Sequence, residues 1–189
     1  LIPVNTGPRA GGYRSRIVQR GKPMRRERGP YRYRRLQILE GYGDDPYRAA
    51  RKPRGPVECP RCGATFRDGR WSWRAGARAR AAKLVCPACR RIAEDAPAGY
   101  LTLSGEWFQR HRAEVLGRVM HCAEAERAEH PLERIIAIRE EDGATRVTTT
   151  STHLARLIAH ALKRAFKGEL KMTYGRGDNL LRARWSRAR

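Results

Sequence analysis

Two C-x-x-C pairs constrain this chain more than anything else in it. They are Cys59-Pro60-Arg61-Cys62-Gly63 and Cys86-Pro87-Ala88-Cys89-Arg90, separated by 23 residues (63 to 85) in a sequence with five cysteines. A two-residue gap lets both thiolates of one tight turn face a common centre, and two such turns supply four sulfurs in a tetrahedron. Gly63 fits the knuckle, because the backbone after the second Cys must swing sharply and glycine permits φ > 0. The pattern predicts one structural Zn2+ on Cys59, Cys62, Cys86 and Cys89. Four protein ligands leave no open position for a substrate, so such a metal is a staple and not a catalyst. The competing readings are disulfides or plain buried thiols. The opening Leu1-Ile2-Pro3-Val4 is too short for a signal-peptide core. The expected location is therefore the cytoplasm, whose reducing conditions suit zinc thiolates better than disulfides.

The charge balance is the second constraint. The 189 residues carry 41 Lys+Arg against 19 Asp+Glu, a net charge of +22. That excess predicts a polyanion partner, nucleic acid first and a membrane surface second. No apolar run approaches the roughly 18 residues that a spanning helix needs, so no membrane partner is expected. Residues 1–56 hold 15 Lys+Arg and 4 Asp+Glu, a net +11, with Tyr13, Tyr31, Tyr33, Tyr42 and Tyr47 scattered among Gly, Pro and Arg. Such a stretch buries too little to offset its ordering entropy and reads as a disordered arm. Its guanidinium groups suit phosphates, and its Arg and Tyr planes suit stacking on unpaired bases. A solubilising tail without specific contacts is the alternative.

Residues 57–103 read as the zinc module. Ala64-Thr65-Phe66 is a short strand, Asp68-Gly69 a turn, and Arg70-Trp71-Ser72-Trp73 the returning strand. Trp71 and Trp73 fall on one face of that strand, as a small core under the metal or as a platform for bases. Arg74 to Lys83, with Arg78 and Arg80, is a basic loop or short helix. Tyr100-Leu101-Thr102-Leu103 is a strand docking the module to the rest.

Residues 106–129 form one expected helix, with Ser104 as N-cap and Pro131 as stop. Cys122 lies on its apolar stripe with Phe108, Val115, Leu116, Val119 and Ala123, and reads as core. His111, Glu114, His121 and Glu124 allow a second metal or an acid/base pair, although a charged helix produces such pairs by chance. Ile135 to Ile138 reads as a buried strand, Glu141-Asp142-Gly143 as a turn and Arg146 to Thr149 as the returning strand. The clearest helix follows. Leu154, Leu157, Ile158, Ala161, Leu162, Ala165 and Phe166 make one apolar face, closed by Gly168. The opposite face holds His153, Arg156, His160, Lys163, Arg164 and Lys167. Leu170, Met172 and Tyr174 alternate in one last strand, and Leu181, Ala183 and Trp185 in the other, with Lys171, Thr173, Arg182 and Arg184 pointing outward.

These elements predict an α+β chain in three parts. A disordered Arg-rich arm spans 1–56 and a four-cysteine zinc-ribbon-like module 57–103. A long helix and a C-terminal ββαββ antiparallel sheet-plus-helix unit span 104–189. Phosphate-binding loops, nucleophile elbows and H-E-x-x-H are all lacking, and no catalytic constellation, cofactor other than zinc, or small-molecule substrate is evident.

Several stretches together resemble a family of short bacterial zinc-ribbon proteins over roughly residues 44–187. They are Asp45-Pro46-Tyr47, C-P-R-C-G-A-T-F with G-R-W-S-W, V-C-P-A-C-R-R, P-A-G-Y-L-T-L-S-G, E-H-P-L-E-R-I, T-T-T-S-T-H-L-A-R and Arg184-Trp185. That family is similar in turn to the zinc-binding N-terminal part of the adaptor that exports the large ribosomal subunit in eukaryotes. The likeness to the adaptor rests on the C-x-x-C pairs and a helix beginning near Leu154-Ala155-Arg156. The adaptor has more zinc-binding cysteines and further domains, so the resemblance implies only zinc on Cys59, Cys62, Cys86 and Cys89, and a link to ribosomal RNA.

The leading expectation is a non-enzymatic zinc protein that binds structured RNA, ribosomal RNA or a ribosomal subunit above all. Phosphate contacts are expected from Arg25, Arg26, Arg32, Arg34 and Arg35 in the arm, and from Arg70, Arg78 and Arg80 in the module. The later helix adds Arg156, Lys163, Arg164 and Lys167, and the last strand Arg182 and Arg184. Tyr31, Tyr33, Trp71 and Trp73 are the stacking candidates. The alternatives are a DNA-binding regulator, an enzyme using His111, Glu114, His121 and His153, or a module that meets an acidic protein. The helix over 152–167 has no Asn or Gln for base reading, which favours RNA over DNA.

Overall fold

The structure, a computed structural model, describes Tyr47, Pro53 and residues 56–73, 81–175 and 180–188. The expected disordered arm, with Arg25, Arg26, Tyr31, Arg32, Tyr33, Arg34 and Arg35, lies outside the described residues, as do Arg78 and Arg80. What is described is a mixed α+β chain with two sheets and four helices.

The first sheet is small and holds the two cysteine knuckles. Its strands are β1 (Val57–Glu58), β2 (Thr65–Arg67), β3 (Arg70–Ser72) and β4 (Ala82–Lys83), in the order β3-β2-β1-β4. β2 and β3 pair across a tight turn in which Asp68 and Gly69 both take positive φ (52° and 84°), as the Asp-Gly signal requires. β4 runs parallel to β1 and leads into the second knuckle, where α1 (Pro87–Ala93) begins.

The second sheet has five strands: β5 (Gly99–Ser104), β6 (Ile135–Glu141), β7 (Ala144–Thr149), β8 (Glu169–Tyr174) and β9 (Leu181–Ser186), ordered β6-β7-β5-β9-β8. This corrects the expected ββαββ antiparallel unit. Its two hairpins do not meet. β5 lies between them, antiparallel to β7 and parallel to β9. β5 carries Leu101 and Leu103, both fully buried, so it fits the centre of a sheet better than the margin of a metal module. The strand placed at the end of the first module is thus the middle of the second sheet. β6, expected to be buried, is only half-buried because it is an outer strand.

The single helix expected over 106–129 is two, α2 (Glu106–Arg110) and α3 (Arg112–Glu129). The break is at His111, whose ring stacks on Trp107 (centroids 3.9 Å apart) and whose Nδ1 donates to the Trp107 carbonyl at 2.9 Å. A side chain bonded to a carbonyl of the preceding turn competes with the helix's own ladder. α2 starts from Gly105, at φ 106°, and not from a Ser104 cap, because Ser104 is still paired in β5.

α4 (Thr152–Phe166) follows the expected stripe, and Ser151 caps it, Oγ accepting from Leu154 N at 3.0 Å. Helices α2, α3 and α4 share one core with the inner face of the second sheet. Phe108, Val115, Val119, Leu154, Ile158 and Leu162 pack with Leu101, Leu103, Val147, Ala183 and Trp185, and Cys122 is buried among them. Each of the Val, Leu, Ile and Phe side chains contributes roughly 1.5–3 kcal/mol when fully buried. Trp185 is the largest, and its Nε1 donates to Lys167 O at 2.8 Å, so its polar atom is satisfied.

Candidate metal centre and basic surfaces

Four cysteines come together as their spacing predicts. The Sγ atoms of Cys59, Cys62, Cys86 and Cys89 all lie within 4.8 Å of one another. Cys59, Cys86 and Cys89 are buried and Cys62 is half-buried. All four are free of disulfide bonds. The first knuckle closes through Gly63 N donating to Cys59 O (2.9 Å) and Cys59 N to Ala64 O (2.8 Å), with Gly63 at φ 75°. The second sits at the start of α1, where Cys86 is the N-cap and its Sγ accepts from Cys89 N at 3.4 Å. Cys86 N in turn donates to Cys59 Sγ at 3.3 Å.

The donor set fits a tetrahedral metal ion. Bonds of about 2.3 Å to sulfur place tetrahedral sulfurs about 3.8 Å apart, and Cys62 Sγ and Cys86 Sγ are separated by 3.8 Å. Electrostatics point the same way. Donation from Cys59, Cys86 and Cys89 holds the Cys62 thiol well below the ordinary range, and Arg134 adds to the effect. Beside Cys59 and Cys62, both Cys86 and Cys89 are driven far above it. Four thiols this close cannot all ionise alone; a cation at their centre lets them do so.

One residue that sequence reasoning missed completes the surroundings. Arg134, 5% exposed, donates from Nη2 to Cys62 Sγ (3.0 Å) and from Nη1 to Cys89 Sγ (3.3 Å). Its Nε donates to Pro131 O at 2.7 Å, and its backbone N to Thr150 Oγ1 at 2.9 Å. Burial is the largest single influence and works against its charge, but the bond to Cys62 together with the charges of Cys62, Cys89 and Cys86 outweighs it and raises the pKa above the usual arginine value. Nothing in the local sequence marks Arg134 out from the other arginines, because the signal lies in the packing of two modules.

The two tryptophans are engaged beside this cluster. Trp71 is half-buried, packed on the cysteines and edge-on to Phe66 (5.6 Å). Trp73 donates Nε1–H to Arg127 O, and the guanidinium groups of Arg127 and Arg134 lie 5.8 and 5.5 Å from its ring centroid. Arg70 is exposed on β3. Among the described residues the four cysteines are the group able to hold a metal, and His111, Glu114, His121 and Glu124 do not join one. His153 instead faces Glu126 at 3.3 Å.

The remaining basic candidates separate onto two surfaces. Arg156, Lys163, Arg164 and Lys167 are exposed along α4, with no acidic partner among the described residues. Arg182 and Arg184 are exposed on β9, where Ala183 and Trp185 face the helices, so these two arginines point to the other side of the sheet. The sequence grouped them as one binding set; the fold places a sheet between them.

Comparison of the chain with models of protein families, with curated proteins and with solved structures gives no match in any of the three. No helix among the described residues is long and apolar enough to cross a membrane.

Proposed function

We propose that the chain is a non-enzymatic zinc protein that binds structured RNA, with ribosomal RNA or a ribosomal subunit as the target. An all-thiolate tetrahedral set is the donor chemistry of structural zinc sites, and with four protein ligands the ion acts as a structural staple. The observation that carries the RNA reading is the α4 surface. From Arg156 to Lys167 every charged side chain is basic and solvent-exposed. A merely solvated helix face mixes signs, whereas a phosphate-facing one does not. The excess charge of the whole chain, +22, suits a polyanion as large as ribosomal RNA.

Two measurements test this. Elemental analysis of the purified protein should find one zinc per chain. Sedimentation of tagged protein through a sucrose gradient, with sequencing of crosslinked nucleic acid, should find it with one ribosomal particle and crosslinked to ribosomal RNA. Protein that stays at the top of the gradient without RNA enrichment refutes the reading.

A further inference from the structure

Among the described residues no helix covers one face of the second sheet, and the composition of that face is unusual. Leu101 and Leu103 point to the helices, so Tyr100 and Thr102 on β5 point away from them. Register then defines a row across all five strands. Arg139 pairs with Arg146, Arg146 with Thr102, Thr102 with Arg184, and Arg184 with Lys171. Four of the five positions are cationic and exposed. Strands about 4.8 Å apart give this row a span of about 19 Å. In the neighbouring row, Tyr100 pairs with Arg182, whose guanidinium carbon lies 5.9 Å from the tyrosine ring centroid.

Two features separate this face from an ordinary solvated one. Arg139 directly opposite Arg146, and Lys171 directly opposite Arg184, are cross-strand pairs of like charge, which are destabilising unless anions offset them. The acids present lie toward the outer strands and are already engaged: Asp95 with Arg139 (3.0 Å), Glu141 with Arg146 (2.5 Å) and Glu169 with Lys171 (3.0 Å). The three inner strands, β7, β5 and β9, carry no acid, and Arg182 and Arg184 have no acidic partner among the described residues. Tyr100, Arg139, Arg146 and Thr148 also line a hollow of about 120 Å3 beside the row, together with Pro97 and the acids Asp95 and Glu141 that pair with the two arginines.

We propose that this open sheet face is a second RNA surface, distinct from α4, which docks an unpaired stretch of RNA with a base stacked on Tyr100 and its phosphates along the Arg139–Lys171 row. It rests on the reading of the chain as an RNA-binding protein and adds the strand state of the ligand. The occupant follows from the chemistry of the face. Charge complementarity requires a polyanion, which excludes a second copy of the same basic surface. The aromatic ring flanked by a guanidinium is a stacking ledge for a base, which a lipid headgroup does not need. A paired helix keeps its bases stacked internally and offers none to Tyr100.

The test uses full-length protein and labelled oligouridine, with a hairpin RNA, oligodeoxythymidine and phosphatidylserine vesicles as the other probes. Tyr100→Val should weaken oligouridine binding about tenfold or more and leave its salt dependence unchanged. Arg182→Gln with Arg184→Gln should weaken it and flatten the slope of log affinity against log salt by about 1.4. Photocrosslinks from oligouridine should fall on the β5 peptide. Wild-type binding by both variants, with loss only in α4 variants, overturns the sheet proposal and leaves RNA binding standing. Tighter binding of oligodeoxythymidine, or dependence on these residues for vesicles alone, overturns the assignment to RNA. Absence of binding to both RNA probes overturns this proposal and the reading beneath it. Circular dichroism of each variant, unchanged from wild type, excludes misfolding as the cause of a loss.

Discussion

Arg134 Nη2 lies 3.0 Å from Cys62 Sγ, and the same guanidinium reaches Cys89 Sγ through Nη1 at 3.3 Å. One side chain thus touches one sulfur from each knuckle. It comes from the segment just before β6, so it ties the cysteine module to the five-stranded sheet. A divalent ion with four thiolates carries a net −2, and a buried guanidinium offsets half of it. Hydrogen-bond donors around a metal centre characteristically set affinity as well as orientation.

Arg134→Met should therefore lower zinc affinity by about 10–100-fold, read by competition with a chromogenic chelator. Arg134→Lys should fall between the two, because an ammonium keeps the charge but lacks the planar fork that reaches two sulfurs. Equal affinities in all three proteins would show that the guanidinium is seated beside the centre without influencing it.

Removing the metal should melt the cysteine module and spare the rest. Its sheet consists of strands of two or three residues, and its core is small: the cysteines, Ala88 and the partly buried side chains around them. Cys59→Ser, Cys86→Ser or exhaustive chelation should abolish amide protection over residues 57–73 and 81–96. β5 and the strands beside it should stay protected, because their core needs no metal. Hydrogen exchange read by mass spectrometry decides between this and one cooperative unit, in which protection at Leu101 and Val147 would vanish together with that at Cys59.

What the sequence made legible follows the range of each interaction. The knuckles, the Asp68-Gly69 turn and the α4 stripe are local, and spacing alone reveals them. β5 was recognisable as a strand but not as the middle of a sheet, since its partners β7 and β9 lie far along the chain, at 144–149 and 181–186. Pairing at that distance leaves no mark on local periodicity. The Arg139–Arg146–Thr102–Arg184–Lys171 row is invisible for the same reason: each member reads as an ordinary outward residue until register aligns them. Arg134 is hidden further still, because its role depends on how two modules pack.

Gly99 reports on this long-range packing. A Cβ there would sit 2.4 Å from Thr149 Oγ1, 2.5 Å from Ala155 Cβ and 2.8 Å from Ser151 O, where β5, β7 and the start of α4 converge. Neither neighbouring strand nor helix cap can yield cheaply. Gly99→Ala should destabilise the chain by about 1–3 kcal/mol, the usual range for overpacking. Chemical denaturation measures it. Gly117→Ala is the control, since nothing lies within 4 Å of its added methyl and alanine favours a helix. A loss at Gly117 equal to that at Gly99 would contradict the packing described for β5.

The α4 surface makes the last prediction, about structured RNA. Lys163, Arg164 and Lys167 are exposed in its final turn and just beyond, and they take no part in the core. Lys163→Gln, Arg164→Gln and Lys167→Gln combined should leave the melting temperature nearly unchanged. Affinity for a ribosomal RNA hairpin should fall, and the slope of log affinity against log salt should flatten by about 1 for each phosphate no longer engaged. For the unaltered chain, engagement of six to ten phosphates implies a loss of about 10³–10⁵ in affinity between 50 and 200 mM salt. If α4 is only a solvated face, the triple variant keeps both the affinity and the slope, and the RNA contacts must then be sought elsewhere on the chain.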